Sequence, residues 1–171
     1  LLDFHGVKTL IRTGTCGGLN AEAPLRSLVI SQSVRAESAE SGQVFGLYAA
    51  AGPDPALLAL ALRQAEGLGI KHRAGLTICS DIFYHPRGRA RYAEAMAMGA
   101  LAVDMETSAL YRISAQFGAR ALSLLNVVDH IVTGEQTDYC ERQALFTDMT
   151  RLALEVAVGD RVHSLKYGVT R

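Results

Sequence analysis

The feature that most constrains the fold is an alternation of short apolar runs with longer stretches patterned at helical spacing. No repeat, low-complexity tract or Pro/Ser-rich linker interrupts it. Such an alternation predicts an α/β chain, in which each strand hands over to a helix that covers the sheet. Residues 7–12 read as a buried strand running into the glycine-rich Thr13-Gly14-Thr15-Cys16-Gly17-Gly18, and residues 27–33 as a second strand. Residues 36–46, polar and glycine-containing, read as a loop.

After Pro53-Asp54-Pro55, the residues Leu57, Leu58, Ala61, Leu62, Ala65 and Leu68 repeat at helical spacing until Gly67 and Gly69 stop the pattern. A strand over 73–80, a helix over 89–98 and a short strand over 100–104 follow. A helix over 106–117 should turn Leu110, Ile113 and Phe117 inward, and 121–128 forms a further buried strand. The last helix, about 138–158, should bury Leu145, Met149, Leu152 and Val156, with Asp138 and Glu141 capping its start.

Composition narrows the class. A chain of 171 residues, 49% hydrophobic and 20% charged, suits one well-buried core and therefore a single domain. Seventeen basic and seventeen acidic side chains cancel, so net charge points to neither nucleic acid nor a membrane surface as partner. Cys16, Cys79 and Cys140, odd in number and widely spaced, fit reduced thiols of a cytoplasmic protein better than a disulfide framework or a zinc site. The longest apolar stretch, 56–62, falls far short of the ~20 residues of a membrane-spanning helix. Without an initiating Met or a basic leader, the chain reads as truncated in front rather than targeted.

Polar residues just after strands are the natural places for chemistry in an open α/β sheet. At Arg12-Thr13-Gly14-Thr15-Cys16-Gly17-Gly18, glycines allow backbone N–H groups to approach an anion, with Thr15 offering a hydroxyl and Arg12 a forked cation; a tight structural turn is the alternative. At Val103-Asp104-Met105-Glu106, an extended backbone would put both carboxylates on one face and Met105 on the other. That pair could grip vicinal hydroxyls, serve glycoside chemistry, bind a metal, or merely cap the following helix. At Val128-Asp129-His130, desolvation would raise the carboxyl of Asp129 toward general-acid use while Arg142 pulls it down; a structural Asp129–Arg142 ion pair is the alternative. Phe83-Tyr84 could stack on a flat heterocycle or belong to the core. His130 reads as structural, and a nucleophilic Cys16 lacks a neighbouring base.

The order and spacing of five segments resemble the nucleoside phosphorylase family, most closely its bacterial hexameric purine branch. They are Ile11 through Gly18, Asp81-Ile82-Phe83-Tyr84, Val103-Asp104-Met105-Glu106, Val128-Asp129-His130-Ile131, and Glu135-Gln136-Thr137 through Glu141-Arg142-Gln143. The resemblance implies a three-layer α/β/α fold with a central mixed β-sheet flanked by helices, and phosphorolysis of purine nucleosides with phosphate as co-substrate and no cofactor or metal. It implies that Arg12, Gly14 and Thr15 hold phosphate, that Asp104, Met105 and Glu106 face the ribose, and that Phe83, Val103 and Val128 line the base pocket. Asp129 would protonate the purine at N7, helped by Arg142, and the chain would form a homo-oligomer, a dimer-based hexamer in the family.

Departures from the family pattern bear on substrate preference. The family's first segment, with a glycine-rich phosphate loop and its arginine, has no counterpart in this sequence, and neighbouring subunits of the family donate a His and an Arg from that region. Asp104 stands where the family usually has Glu, and Val128 where Ser is common. A nucleosidase of the same superfamily, using water, is the nearest rival, although an arginine facing an anion favours the phosphorylase. A uridine phosphorylase fits less well, because Asp129 suits purine protonation. A noncatalytic binding remnant is the alternative from another class. A dinucleotide-binding oxidoreductase would need a helix opening directly on its glycine loop, where this chain has Pro24 and a second strand.

Overall fold

A computed structural model describes residues 2–36, 51–144 and 147–167. In chain order the elements are α1 (Leu2–His5), β1 (Thr9–Gly18), β2 (Leu28–Ala36), α2 (Pro55–Gly67) and β3 (His72–Cys79). A 3-10 turn (Gly88–Tyr92) then leads into α3 (Ala93–Ala97), followed by β4 (Ala102–Asp104), α4 (Thr107–Gln116), β5 (Arg120–His130), α5 (Tyr139–Ala144) and α6 (Thr147–Tyr167). The helix expected over 89–98 is thus split between the 3-10 turn and α3. The loop expected over 36–46 lies, beyond Ala36, outside the described residues, as does Leu145.

The mixed sheet flanked by helices is the expected α/β architecture, and it closes on itself in the order β1-β4-β3-β2-β5, with β5 pairing back onto β1. β1 runs parallel to β5 from Thr9↔Arg120 to Gly18↔His130, while β4 joins the far end of β1 antiparallel at Gly17↔Val103. Pairing with β5 along 13–18, and with β4 as well at Gly17 and Gly18, makes the glycine run part of a strand instead of the loop its composition suggests: ladder hydrogen bonds outweigh glycine's low strand propensity.

β5 is buried along nearly its whole length, which explains its near-continuous apolar sequence. Leu122 and Leu124 on one face pack with Leu28 and Ile30 against Leu57, Ala61 and Ala65 of α2 and Met149, Leu152 and Val156 of α6. Leu125 and Val127 on the other face join Cys16, Val29 and Leu101. Each fully buried Leu or Val contributes about 1.5–3 kcal/mol. Helix α2 starts where Asp54 Oδ1 accepts from the N–H groups of Ala56 and Leu57, both at 3.0 Å, with Pro55 preset for the first turn. The expected cap at 138–141 forms reciprocally: Glu141 N–H donates to Asp138 at 2.7 Å and Asp138 N–H to Glu141 at 3.0 Å. Arg120 makes a forked contact to Asp160 at 2.6 Å and donates to Thr9 at 2.7 Å, tying α6 to the starts of β1 and β5.

Helix α4 departs from the expected inward face. Thr107, Ser108, Tyr111 and Ser114 are buried, Leu110 and Ile113 are partly buried, and Phe117 is 51% exposed. Small hydroxyl-bearing residues let the helix approach the sheet closely, where Tyr111 donates to the Ser31 carbonyl at 2.8 Å and accepts the Ser123 N–H at 3.0 Å. Burial pushes the Tyr111 hydroxyl up to about 12, so it remains a donor throughout the physiological range. Tyr111→Phe keeps the ring but strands two buried polar groups. Urea unfolding should show a loss of about 1–3 kcal/mol, and an unchanged midpoint would mean that water replaces the hydroxyl.

Candidate active site

Site construction begins on β1. Arg12 lies across Gly14, where an added Cβ would meet the guanidinium at 2.5 Å, so the glycine is the space that the arginine occupies. Antiparallel pairing of β1 with β4 turns the end of β4 back along β1. Arg12 Nη1 therefore reaches Asp104 at 3.3 Å and donates to Ser123 Oγ at 3.4 Å, while Nη2 pairs with Glu106. Two carboxylates thus neutralise the cation that the sequence offers to an anion. Thr15 stands exposed further along the strand.

At the corner between β4 and α4 the structure realises the capping reading for Asp104. Asp104 is buried and acts as a cap: Oδ2 accepts from Thr107 N–H at 3.0 Å, Thr107 Oγ1 at 2.5 Å and Glu106 N–H at 3.4 Å. The Thr107 proton is spent on Asp104, so the 2.8 Å contact between Thr107 Oγ1 and Ser123 Oγ has Ser123 as donor. A directed chain runs from Arg12 to Ser123 to Thr107 to Asp104. The extended strand stops at Asp104, so the expected separation of Met105 from the two acids does not hold; Asp104, Met105 and Glu106 all line one cavity. Burial raises the Asp104 carboxyl above 3.8, opposed by the Thr107 hydroxyl, the Arg12 charge and the two N–H donors.

A bulge sets the third group. Cys16 pairs with Val127 and Gly17 with Asp129, leaving Val128 as an extra residue in β5. Bulges re-aim the side chains beside them. Here the Val128 carbonyl is taken by Thr137, whose N–H and Oγ1 both donate at 2.8 Å. Gly17 permits the next contact, since a Cβ there would sit 3.1 Å from Asp129 Oδ2 and 2.9 Å from Ile131 Cδ1. Asp129 is half-buried. Burial raises its carboxyl above 3.8, opposed first by Arg142 and then by His130. Arg142 is exposed and donates from Nε to Thr137 at 3.3 Å, so it stands behind the Val128–Asp129 segment and acts on Asp129 through its charge. His130 lines the cavity and is hydrogen-bonded at both ring nitrogens: Nδ1 accepts from Thr133 N–H at 3.3 Å and Nε2 donates to the Asn20 carbonyl at 3.2 Å.

These walls enclose a cavity of about 510 Å³, of a size that takes a small organic molecule. Arg12, Thr15, Phe83, Val103, Asp104, Met105, Glu106, Val128 and Asp129 line it; Gly14 and Arg142 do not, the first lying beneath Arg12 and the second behind Thr137. Phe83 and Tyr84 form an edge-to-face pair 5.0 Å apart and are 73% and 89% exposed, so they sit at the surface and not in the core. Sequence reasoning missed Ser80, Arg91 and Tyr92 in the wall. Arg91 lies in the basic run 85–91, which no strand end flagged, Tyr92 follows it, and Ser80 directly follows β3. Cys16 lines the cavity, but burial, with Asp104 and Asp129 nearby, holds its thiol well above 9.0, which weighs against a nucleophilic thiolate. Among the described residues no cluster of His, Cys, Asp and Glu could hold a metal, and Arg12 already fills the gap between the two acids. No described helix is long and apolar enough to cross a membrane.

A family model described as the phosphorylase superfamily matches residues 1–158. Curated relatives described as purine nucleoside phosphorylases of the DeoD type include one from Myxococcus xanthus (strain DK1622), 40% identical over 158 residues, which are 92% of this chain and 66% of the relative. Another, from Geobacillus kaustophilus (strain HTA426), is 40% identical over 163 residues with the same coverage. A third, from Caldanaerobacter subterraneus subsp. tengcongensis, is 41% identical over 160 residues, covering 92% and 68%. The chain spans about two thirds of the length of these relatives.

The hydroxyl chain makes a prediction that needs no substrate. Thr107→Val removes the donor that favours charged Asp104, so the Asp104 carboxyl should titrate at higher pH than in the unmodified protein, read by carbon NMR of labelled aspartate. A shift to lower pH would mean that Thr107 does not hold the ionised form.

Proposed function

The chain belongs to the phosphorylase superfamily, and from that premise we propose that it carries the greater part of a purine nucleoside phosphorylase active site, cleaving the N-glycosidic bond of purine ribo- and deoxyribonucleosides with phosphate. The observation that carries this reading is the convergence of Arg12 with Thr15, Asp104 through Glu106, and Asp129 on one cavity of nucleoside size.

In this reading Arg12 and Thr15 bind phosphate, with Gly14 as the space that lets Arg12 lie against the strand. Met105 and Glu106 face the ribose, and Asp104 positions Arg12 and the corner from beneath. Phe83, Val103 and Val128 enclose the base. Phosphate oxygen attacks C1′ as the C1′–N9 bond breaks toward an oxocarbenium-like sugar, and the bonding electrons pass into the purine. Asp129 delivers its proton to N7, so the base leaves neutral and ribose 1-phosphate remains. Partial burial suits Asp129 to this step by favouring the protonated acid, and Arg142 steadies the carboxylate left behind.

Because Arg12 rests between Asp104 and Glu106, phosphate has to displace carboxylate contacts. Ribose hydroxyls donating to Glu106 offer that residue a substitute partner, so nucleoside and phosphate assist each other. Inorganic phosphate is the co-substrate and no cofactor is required. Assembly is a homo-oligomer, with the family's first segment and a neighbouring subunit completing the phosphate and ribose sites. The protein works in the cytoplasm as one nucleoside phosphorylase-like domain.

Incubation with inosine or adenosine, with and without phosphate, tests the reading in this chain and in a version extended by the family's first segment. Release of base with ribose 1-phosphate, dependent on phosphate, is the expected result. Release of free ribose without phosphate would identify a nucleosidase, and no release from either form would leave a binding role.

Asp129→Asn should lower turnover of natural purine nucleosides by about 10²–10⁴-fold, and turnover of a nucleoside whose leaving group needs no proton far less; equal losses would remove Asp129 as the acid. The rate should fall as pH rises through the Asp129 titration, which lies above 3.8. Arg142→Ala removes a charge that lowers it, so that limb should move to higher pH, and a move to lower pH would contradict the assignment.

A further inference from the structure

Arg26 is the one described residue other than glycine with a positive φ, at 68°. A side chain there strains the backbone where glycine would not, so the reason for an arginine lies in what its side chain holds. The Arg26 N–H donates to the Val127 carbonyl at 2.9 Å, and the carbonyl of Ser27 accepts the Val127 N–H at 3.0 Å. The backbone of Arg26 is thereby tied to β5 just before the extra residue Val128 and the acid Asp129. Its side chain reaches α5: Nε donates to Glu141 Oε1 at 3.0 Å, and Nη2 pairs with the same oxygen. Glu141 is locked into the start of α5 by its exchange with Asp138, and the next residue is Arg142, which donates from Nε to Thr137. Arg26 and Glu141 keep 50% and 28% of their side chains exposed, and exposed ion pairs add little stability. What this pair does is join the strand that carries Asp129 to the helix that carries Arg142.

We propose that Arg26 is a positioning residue for the acid: by clamping α5 to β5 through Glu141, it sets the distance between the Arg142 guanidinium and the Asp129 carboxyl. This rests on the reading of Asp129 as the proton donor with Arg142 behind it. Charge interaction depends on separation, and Arg142 is the first of the charges that favour the ionised form of Asp129. Arg142 is exposed, so an α5 released from β5 lets its guanidinium spend time in water, farther from the carboxyl. The other ionisable groups around Asp129 are His130 beside it on β5, Cys16 on β1, whose thiol burial keeps protonated, and Glu135 in the turn after β5. Across the cavity stand Arg12 with its two acids, and His85, Arg89 and Arg91. The Arg26 side chain is hydrogen-bonded to none of these; Glu141 is its partner.

The experiment follows the Asp129 titration by carbon NMR of labelled aspartate in the wild-type protein, Arg26→Gly, Arg142→Ala and the double variant, and kcat/KM for inosine with phosphate across pH. Glycine accepts the φ of residue 26, so Arg26→Gly should fold at least as well as the wild type; Arg26→Asn, which also tolerates that conformation, repeats the test if it does not. Arg26→Gly should move the Asp129 titration to higher pH, in the direction of Arg142→Ala and by no more, and should add nothing in the Arg142→Ala background. Inosine kcat/KM should fall by about 10–100-fold, the scale of a small misplacement of a catalytic group. An unchanged or lowered titration, full activity in Arg26→Gly, or a shift that persists without Arg142 would each overturn the inference, the last by showing that the charge of Arg26 acts directly. A wild type that cleaves no nucleoside, with the titration moved as expected, would overturn the phosphorolysis reading and sustain the role of Arg26. Cleavage with an unmoved titration would overturn the inference alone.

Discussion

Arg12 between Asp104 and Glu106 is the contact on which the rest of the site depends. A guanidinium with 19% of its side chain exposed, facing a carboxylate that is fully covered, has to be paired, because an isolated charge in that position would lose hydration without compensation. Pairing holds the end of β4 against β1, and Ser123 and Thr107 carry the connection into β5 and α4. Tyr111 extends it to β2 through the Ser31 carbonyl. One polar network thus links most walls of the closed sheet, at a spot where an apolar contact would pack as well but would not orient a cation.

The network has a chemical consequence. An arginine already matched to carboxylates is held in one orientation, and its charge is not wholly available until those carboxylates find other partners. Asp104 cannot easily leave, since three donors hold its Oδ2. Glu106 is exposed and is held by the Arg12 guanidinium. Asp104 and Glu106 both line the cavity, but Asp104 is buried and caps the following helix whereas Glu106 is exposed.

Much of the fold was legible in the residue order. Strand and helix positions followed from apolar periodicity, and Asp54, Asp138 and Glu141 marked helix starts by a local mechanism that needs no tertiary information. The inward face of α4 was misread because counting apolar residues overlooks hydroxyls that bury themselves by bonding across the sheet. The glycine run was misread because strand pairing comes from distant residues, 102–103 and 120–130. Arg91 was missed for a similar reason: nothing local distinguishes a buried arginine from the exposed ones two and four residues before it.

What the sequence determined by itself was the alternation of elements, the helix caps, and the set of polar residues placed at strand ends, because each depends on interactions within a few residues along the chain. Tertiary structure alone decided that the sheet closes, that Arg12 is neutralised by Asp104 and Glu106, and that the extra residue Val128 turns Asp129 toward the cavity. It also decided how far each carboxyl is buried. Charge pairing and desolvation depend on distance through space, and no periodicity along the chain records which residues from separate strands will stand within a few ångströms of each other.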